Sequence, residues 1–355
     1  MSTPKFAHSS VSVHAELKKR VHDYFHNQDI KPTGSSNLYL KAIILVAGQI
    51  LVYTHLVFFT PVAWMAILEC MVLGLFTSGI GFNVMHDGAH GSFSKYKGVN
   101  RMAALSLDML GASSVMWNNK HNIIHHTYTN IDGIDDDIEA KPFLRLAPTQ
   151  KHYKLHKYQH IYFWVLYGFL YLFWVFFTDY KKYFSGMVGS VALKKLKKTD
   201  HLFFWGFKAL HVATYVVLPI ILCGFMPWLV GFLVYTFTSG VILSIVFQLA
   251  HTVEEASFPE AAQSTNKMED EWAVHQLRTT ANFATGNKII TWFVGGLNFQ
   301  VEHHLFPKIS HAHYPQISKI IKNTCIEMGV PYLEHPKMTT AIASHISHLK
   351  KMGQR

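Results

Sequence analysis

Three short segments gather histidine at helical spacing: HDGAH at 86–90, HNIIHH at 121–126 and QVEHH at 300–304. His86 and His90 stand four apart, as do His121 and His125, with His126 beside the latter. His303 and His304 are adjacent and follow Gln300 by three and four residues. On an α-helix, positions three or four apart share a face, with Cβ atoms about 5–6 Å apart. Such a pair can grip one metal ion or two neighbouring ones. An adjacent histidine is turned by about 100° and reaches a second ion or the flank of the site. One pair of this kind is weak evidence; three clusters on separate helices can converge on a metal pair, as ligands do in soluble di-iron bundles. His251 directly follows a long apolar run, as His86 follows another, and joins the candidate ligands. His275, in EWAVHQLRTT, is expected on the surface or in a supporting role. Asp87 and Glu302, beside His86 and His303, are expected to accept from imidazole N–H groups and so fix tautomers.

Imidazole suits Zn, Cu, Fe and Ni. The candidate set exceeds one zinc, which takes four ligands structurally and three plus water catalytically. Two ions sharing the set would keep open positions, an arrangement suited to oxygen activation by iron. Lipid chains offer only inert C–H bonds, and no amino-acid side chain supplies the oxidant that breaks one. A further stripe, His152, His156 and His160 in HYKLHKYQH, has equally good spacing. It lies among lysines beside an aromatic run and is expected to be an interfacial basic face, not a ligand set.

The elements that carry these residues are greasy. The 355-residue chain is 50% apolar and 15% charged, against roughly 25% charged for a soluble domain. That balance marks an integral membrane protein. Stretches 39–59, 62–85, 207–225 and 228–250 are apolar enough to cross a bilayer, which takes about 20 residues. They are read as two hairpins, turning near Pro61 and Pro227. Lys and Arg exceed Asp and Glu by ten and cluster outside the hairpins, as in KKLKK at 194–198. The positive-inside rule then puts both termini and the central region in the cytoplasm. With spans present, the basic excess reads as that face and not as a nucleic-acid surface.

Residues 161–177, IYFWVLYGFLYLFWVFF, would be a span on hydropathy alone. One extra crossing would put the clusters at 121–126 and 300–304 on opposite faces. A shared site therefore requires this segment to be interfacial or buried against other helices. The expected fold is all-α: a cytoplasmic segment 1–38, a membrane domain 39–325 whose four spans are capped by a cytoplasmic helical domain carrying the histidines, and a cytoplasmic C-terminal tail 326–355. Glu69 is a charge inside a predicted span, either functional or reaching polar atoms near the outer end. Three cysteines without a C-x-x-C pair argue against a thiolate site or a disulfide framework. A signal-peptide core is absent from the N-terminal stretch. A histidine-rich metal transporter is the distant alternative, but transporters place ligands near the midplane in broken helices, and nearly all candidates here fall outside the spans.

From about residue 35 to 320 the chain resembles the membrane fatty acid desaturases, on the strength of HDGAH, HNIIHH, QVEHH and the layout between them. The resemblance implies a non-haem centre of two iron ions that uses O2 as co-substrate and two electrons to remove two hydrogens from adjacent acyl carbons. Its ligands would be His86, His90, His121, His125, His126, His303 and His304, with His251 matching a ligand that follows the last span. Most desaturases have histidine where Gln300 stands. The Q-x-x-H-H form resembles the front-end subgroup, which inserts a double bond between an existing one and the carboxyl end. Gln300 could offer a carbonyl oxygen to iron or hydrogen-bond a bound water. Many eukaryotic front-end enzymes carry a fused cytochrome b5 domain with an H-P-G-G motif, which this sequence lacks. The implied electron donor is a separate ferredoxin or cytochrome b5, docking on the basic face. The implied substrate is a fatty acyl-CoA or acyl-lipid, and the implied location is a bacterial inner membrane with the active site cytoplasmic. A sphingolipid desaturase or fatty acyl hydroxylase of the same architecture is the near alternative. Parts of the two hairpins, with Glu69 or Trp117 as neighbours, are expected to line the acyl tunnel.

Overall fold

The computed structural model describes residues 3–354. In chain order the helices begin with α1 (Val13–Asn27), α2 (Ser36–Phe59), α3 (Ala63–His90) and α4 (Lys97–Met109). The turns Ser114–Trp117, Asn118–His125 and His126–Tyr128 run on as α5. Next come α6 (Lys154–Gly168), α7 (Leu170–Ser185), α8 (Lys198–Cys223) and α9 (Phe225–His251). The last are α10 (Trp272–Thr279), α11 (Lys288–Phe293), α12 (Gln300–Leu305), α13 (Tyr314–Glu327) and α14 (Met338–Gln354). Two short strand pairs interrupt an otherwise helical chain: β1 (Met187–Val188) antiparallel with β2 (Val191–Ala192), and β3 (Ala281–Phe283) parallel with β4 (Leu333–His335).

Helices α2, α3, α8 and α9 are long and apolar enough to cross a membrane, at 24, 28, 26 and 27 residues. A helix of 28 residues is about 42 Å long, whereas a hydrocarbon core is about 30 Å thick. α3 and α9 are therefore longer than an apolar slab is thick, and their C-terminal residues are His90 and His251. α8 begins at Lys198, well before the expected 207. Asp200 Oδ2 accepts from the Lys197 N–H at 2.9 Å at its start, a polar turn that hydropathy does not register. Lys208 is buried inside α8. Its ammonium is matched by Asp179 at 2.9 Å and by the Gly111 and Val175 carbonyls at 2.7 Å each.

The aromatic run at 161–177 is broken, not a straight rod. α6 and α7 meet at a 58° bend around Phe169. Tyr167, Tyr171 and Val175 are buried, and both helices pack on α9. The approach is close because both surfaces lack a side chain: a Cβ on Gly240 would lie 2.3 Å from the Gly168 carbonyl oxygen. Small residues of this kind let apolar helices touch backbone to backbone.

Polar side chains inside the bundle find partners across helices. Gln49 of α2 donates to the Tyr215 hydroxyl of α8 at 3.0 Å. Thr77 of α3 bonds Tyr235 of α9 at 3.2 Å, and Tyr235 meets Tyr171 of α7 at 2.9 Å. Bonds of this kind contribute about 0.6 kcal/mol on average within a bilayer. Glu69 sits away from them, 2.9 Å from His55 Nδ1, so the intramembrane carboxylate is answered by an imidazole.

Both ends of the chain are part of the packed structure. On α1, Val13, Leu17, Val21 and Phe25 recur every four residues and bury against Tyr314, Ile317 and Ile321 of α13. The segment expected as a tail contributes β4 and α14. Gln159 donates to the Leu349 carbonyl at 2.8 Å and Arg145 Nη1 to the Met352 carbonyl at 2.9 Å. This contact also reaches the histidine stripe. His156 is fully buried, with Nε2–H donating to the Pro142 carbonyl at 2.8 Å. His152 donates to the Gly353 carbonyl at 2.9 Å. His156 is thus a seat for the end of α14, which returns from the far end of the sequence, while His152 and the neighbouring Lys151, Lys154 and Lys157 stay exposed.

Candidate metal centre

The three clusters and His251 converge. Ligand atoms of His86, His90, His121 and His303 lie within 4.8 Å of one another, and so do those of His125, His251 and His304. Each group could hold a metal ion. His303 and His304, neighbours in sequence, fall in different groups, as the step of about 100° between adjacent helical residues allows; their ring centroids are 5.5 Å apart. His126 lies between the groups, its ring 4.6 Å from that of His303 and 4.4 Å from that of His304. Its Nε2 is 3.3 Å from Nε2 of His121.

Helix α5 achieves this through a wide turn. Asn118–His125 is a π-helix, a form that appears mostly as short insertions and often at functional sites. Its looser winding lets His121 face both His125 and His126, four and five residues on. A second π turn, Gly81–Met85, immediately precedes His86. Trp117 stacks on His121 at 4.4 Å and packs edge-on near His86 and His90. It belongs to an apolar cluster that continues through Met85, Leu107, Ala112 and Tyr171 to Tyr235.

The outer ring nitrogens are held by residues outside the clusters. His125 Nδ1 is 2.9 Å from Asp135 Oδ2, and His303 Nδ1 is 3.2 Å from the Tyr314 hydroxyl. His304 Nδ1 is 2.8 Å from Gln276 Oε1, and His251 Nδ1 is 3.3 Å from the Thr279 carbonyl. Restraint at Nδ1 orients each ring and leaves Nε2 for a ligand. Asp87 and Glu302 do not do this work. Asp87 Oδ2 faces His311 Nδ1 at 3.0 Å and the Ser310 hydroxyl at 2.9 Å. Glu302 accepts from Asn282 and Tyr332 at 2.8 and 2.9 Å. Each is one residue from a candidate ligand and is therefore turned to another face of its helix. His275 is buried, not on the surface, and bonds the Thr129 carbonyl at 3.0 Å. Sequence inspection could have raised Asp135, since IDGIDDDIE follows the second cluster closely; nothing local marks Tyr314, Gln276 or Thr279.

Charge follows burial. Burial pushes His121 down to about 4. Burial and the neighbouring imidazoles hold His126, His303 and His304 well below the usual range. The downward shift favours the neutral ring, the state that binds metal. Burial also opposes charge on His125, but Asp135 and Asp137 outweigh it and raise this ring above its ordinary value. Asp137 lies 3.6 Å from His125 Nδ1 and 2.5 Å from the Lys120 ammonium. Burial lifts Glu302 to about 7.

The donor set fits a pair of metal ions. Nε2 of His90, His125, His303 and His304, Nδ1 of His126 and Oε1 of Gln300 are buried without a hydrogen-bond partner among the described residues. Each such atom costs about 1–3 kcal/mol if left bare. Gln300 Nε2 is 3.1 Å from His251 Nε2, so the amide sits at the group that has only three imidazoles.

Residues 62–336 match the fatty acid desaturase family. The chain belongs to that family. It is 38% identical over 346 residues to an sn-1 linoleoyl-lipid 6-desaturase of Arthrospira platensis, covering 97% of this chain and 93% of that protein. A protein of the same description from Synechocystis sp. is 36% identical, with 95% and 94% covered. An acyl-lipid (8-3)-desaturase of Physcomitrium patens is 36% identical over 95% of this chain and 71% of its own length. The protein is thus a fatty acyl desaturase, and its convergent histidines are the clusters on which the resemblance rested.

Proposed function

We propose that this desaturase introduces a double bond into a lipid-linked fatty acyl chain, between an existing double bond and the carboxyl end. The observation that carries the desaturase chemistry is the division of His303 and His304 between two groups of imidazoles with unsatisfied ligand atoms; the position of the double bond and the lipid carrier rest on Gln300 and on the names of the relatives. Iron ions would be held by His86, His90, His121 and His303 in one group and by His125, His251 and His304 in the other, with His126 between them. Gln300 completes the second group as a ligand or as the partner of a bound water. When bound, the iron pair supplies the oxidising chemistry, using O2 and two electrons to remove two hydrogens from adjacent carbons.

The chain's own residues hold and shield that site. Asp135, Tyr314 and the Thr279 carbonyl keep Nδ1 engaged, so Nε2 points inward. Trp117 caps the first group and excludes water. The apolar cluster from Trp117 to Tyr235 is the path we assign to the acyl chain. The names of the relatives favour a glycerolipid over an acyl-CoA.

The shared site also supports the topology. If α6 and α7 do not cross, two hairpins, α2–α3 and α8–α9, put both termini and the histidines on one side. A cytoplasmic placement, in a bacterial inner membrane, agrees with the lysines at 194–198. The net charge of +10 suits an acidic ferredoxin or cytochrome b5 as electron donor. Expression in a host fed linoleate, with gas chromatography of lipid fatty acids, should yield a triene whose new bond lies nearer the carboxyl group. A hydroxylated product, or a new bond on the methyl side, would overturn the assignment.

A further inference from the structure

Helix α10 carries none of the three clusters, yet it touches two of them and His251. Trp272 Nε1 donates to the His126 carbonyl at 3.1 Å. His275 bonds the Thr129 carbonyl, and the Thr279 carbonyl faces His251. Gln276, fully buried at the middle of the helix, is engaged at both ends of its amide. Its Nε2 is 3.0 Å from the His126 carbonyl. Its Oε1 is 2.8 Å from His304 Nδ1 and 2.9 Å from the Thr129 hydroxyl.

These contacts settle where the hydrogens are. A peptide carbonyl only accepts, so the Gln276 amide must turn its NH2 toward His126. Its oxygen then faces His304, and an amide oxygen also only accepts. The hydrogen therefore sits on His304 Nδ1, which leaves the lone pair on Nε2. That is the buried atom with no hydrogen-bond partner among the described residues.

We infer that Gln276 is a positioning residue of the metal centre, selecting the Nε2-presenting form of His304 while tying the second histidine cluster to the third. The inference rests on the di-iron reading above. It is confined to one side of the centre: His304 groups with His125 and His251, whereas His303 takes its Nδ1 partner from Tyr314. Support of this kind is typically worth 10–100-fold in metal affinity or activity.

The test compares Gln276→Leu and Gln276→Glu with the unaltered full chain, purified in detergent from iron-supplemented cells. Iron per chain is measured before and after challenge with a chelator, together with Mössbauer spectra and the thermal midpoint. Leu fills similar space but offers no acceptor. Glu keeps an acceptor for His304 Nδ1–H and loses the donor to His126. Gln276→Leu should fold and lose one ion of the pair, with about 10–100-fold weaker retention of that ion. Gln276→Glu should hold both ions, with the spectrum of one of them shifted by the stronger acceptor. If Gln276→Leu keeps both ions at unaltered chelator resistance, or if Gln276→Glu does no better than Leu, the inference falls. Should Gln276→Leu fail to fold, Gln276→Glu decides, and a spectrum identical to that of the unaltered protein overturns the inference. An unaltered protein that binds no iron overturns the di-iron reading itself; two ions there with no response to Leu overturns the Gln276 role alone.

Discussion

Replacing Asp135 by asparagine tests whether the carboxylate behind His125 sets the metal-binding form of that ring. Asp135 is buried, and its two oxygens are fully used. Oδ2 takes both His125 Nδ1–H and the Asn130 amide at 2.9 Å. Oδ1 takes the Asp137 amide at 3.0 Å. An asparagine has the same shape but only one accepting edge. If its NH2 turns to His125, it also meets the Asn130 N–H donor to donor, and the ring must accept there, so its hydrogen moves to Nε2, where it blocks the ligand position. If its NH2 turns to Asp137 instead, two donors face each other in a buried site, at a cost of about 1–3 kcal/mol. Loss of such an outer partner usually weakens metal binding 10–100-fold, or about 1.4–2.8 kcal/mol at 1.4 kcal/mol per tenfold. Asp137, 3.6 Å from the same nitrogen, can recover part of this, so the lower end is expected. Iron retained against a graded chelator gives the number directly, with the thermal midpoint as a check on folding. Asp135→Asn protein that binds iron as tightly as the unaltered chain would refute the reasoning.

The remaining tests address the ligands, the ends of the chain and pH. His303→Ala should lose iron and desaturation together, while His152→Ala, which removes only a bond to the Gly353 carbonyl, should keep both; iron loss in His152→Ala would return that stripe to the metal site. Leu17→Ala opens a cavity between α1 and α13, where Leu17 is fully buried, and should cost about 2–5 kcal/mol; an unchanged thermal midpoint would mean α1 does not hold the fold. His348 is pushed down to about 4 by burial, despite its bond to the Leu146 carbonyl at 2.8 Å. The unfolded chain therefore binds more protons than the folded one between pH 6.5 and about 4, and this group's contribution is fully present above 6.5 and lost as pH falls through that window. His348→Gln should flatten the drop in thermal midpoint between those limits, and an equally steep drop would count against it.

How much of this was legible beforehand depends on the range of the interaction. Helical spacing and hydropathy are local properties, so the membrane class, the four apolar helices and the histidines that the fold brings together could be read from the chain. The resemblance to desaturases rested on those same residues. Asp87 and Glu302 were misassigned for a related reason: proximity in sequence suggested contact, while the helical turn points a neighbour elsewhere. Hydropathy likewise made one run of 161–177, where a glycine contact with α9 and a bend at Phe169 made two helices.

The sequence alone determined which atoms were available to bind metal and which solvent the chain would live in, because composition and period carry that information. Tertiary structure decided how the atoms were shared: His303 to one group, His304 to the other, and His126 between them. It also decided what orients them. His304 meets Gln276 across 28 residues of chain and His303 meets Tyr314 across 11. Such pairs leave no trace in spacing, since a hydrogen bond between elements exists only once packing has brought its two ends within reach.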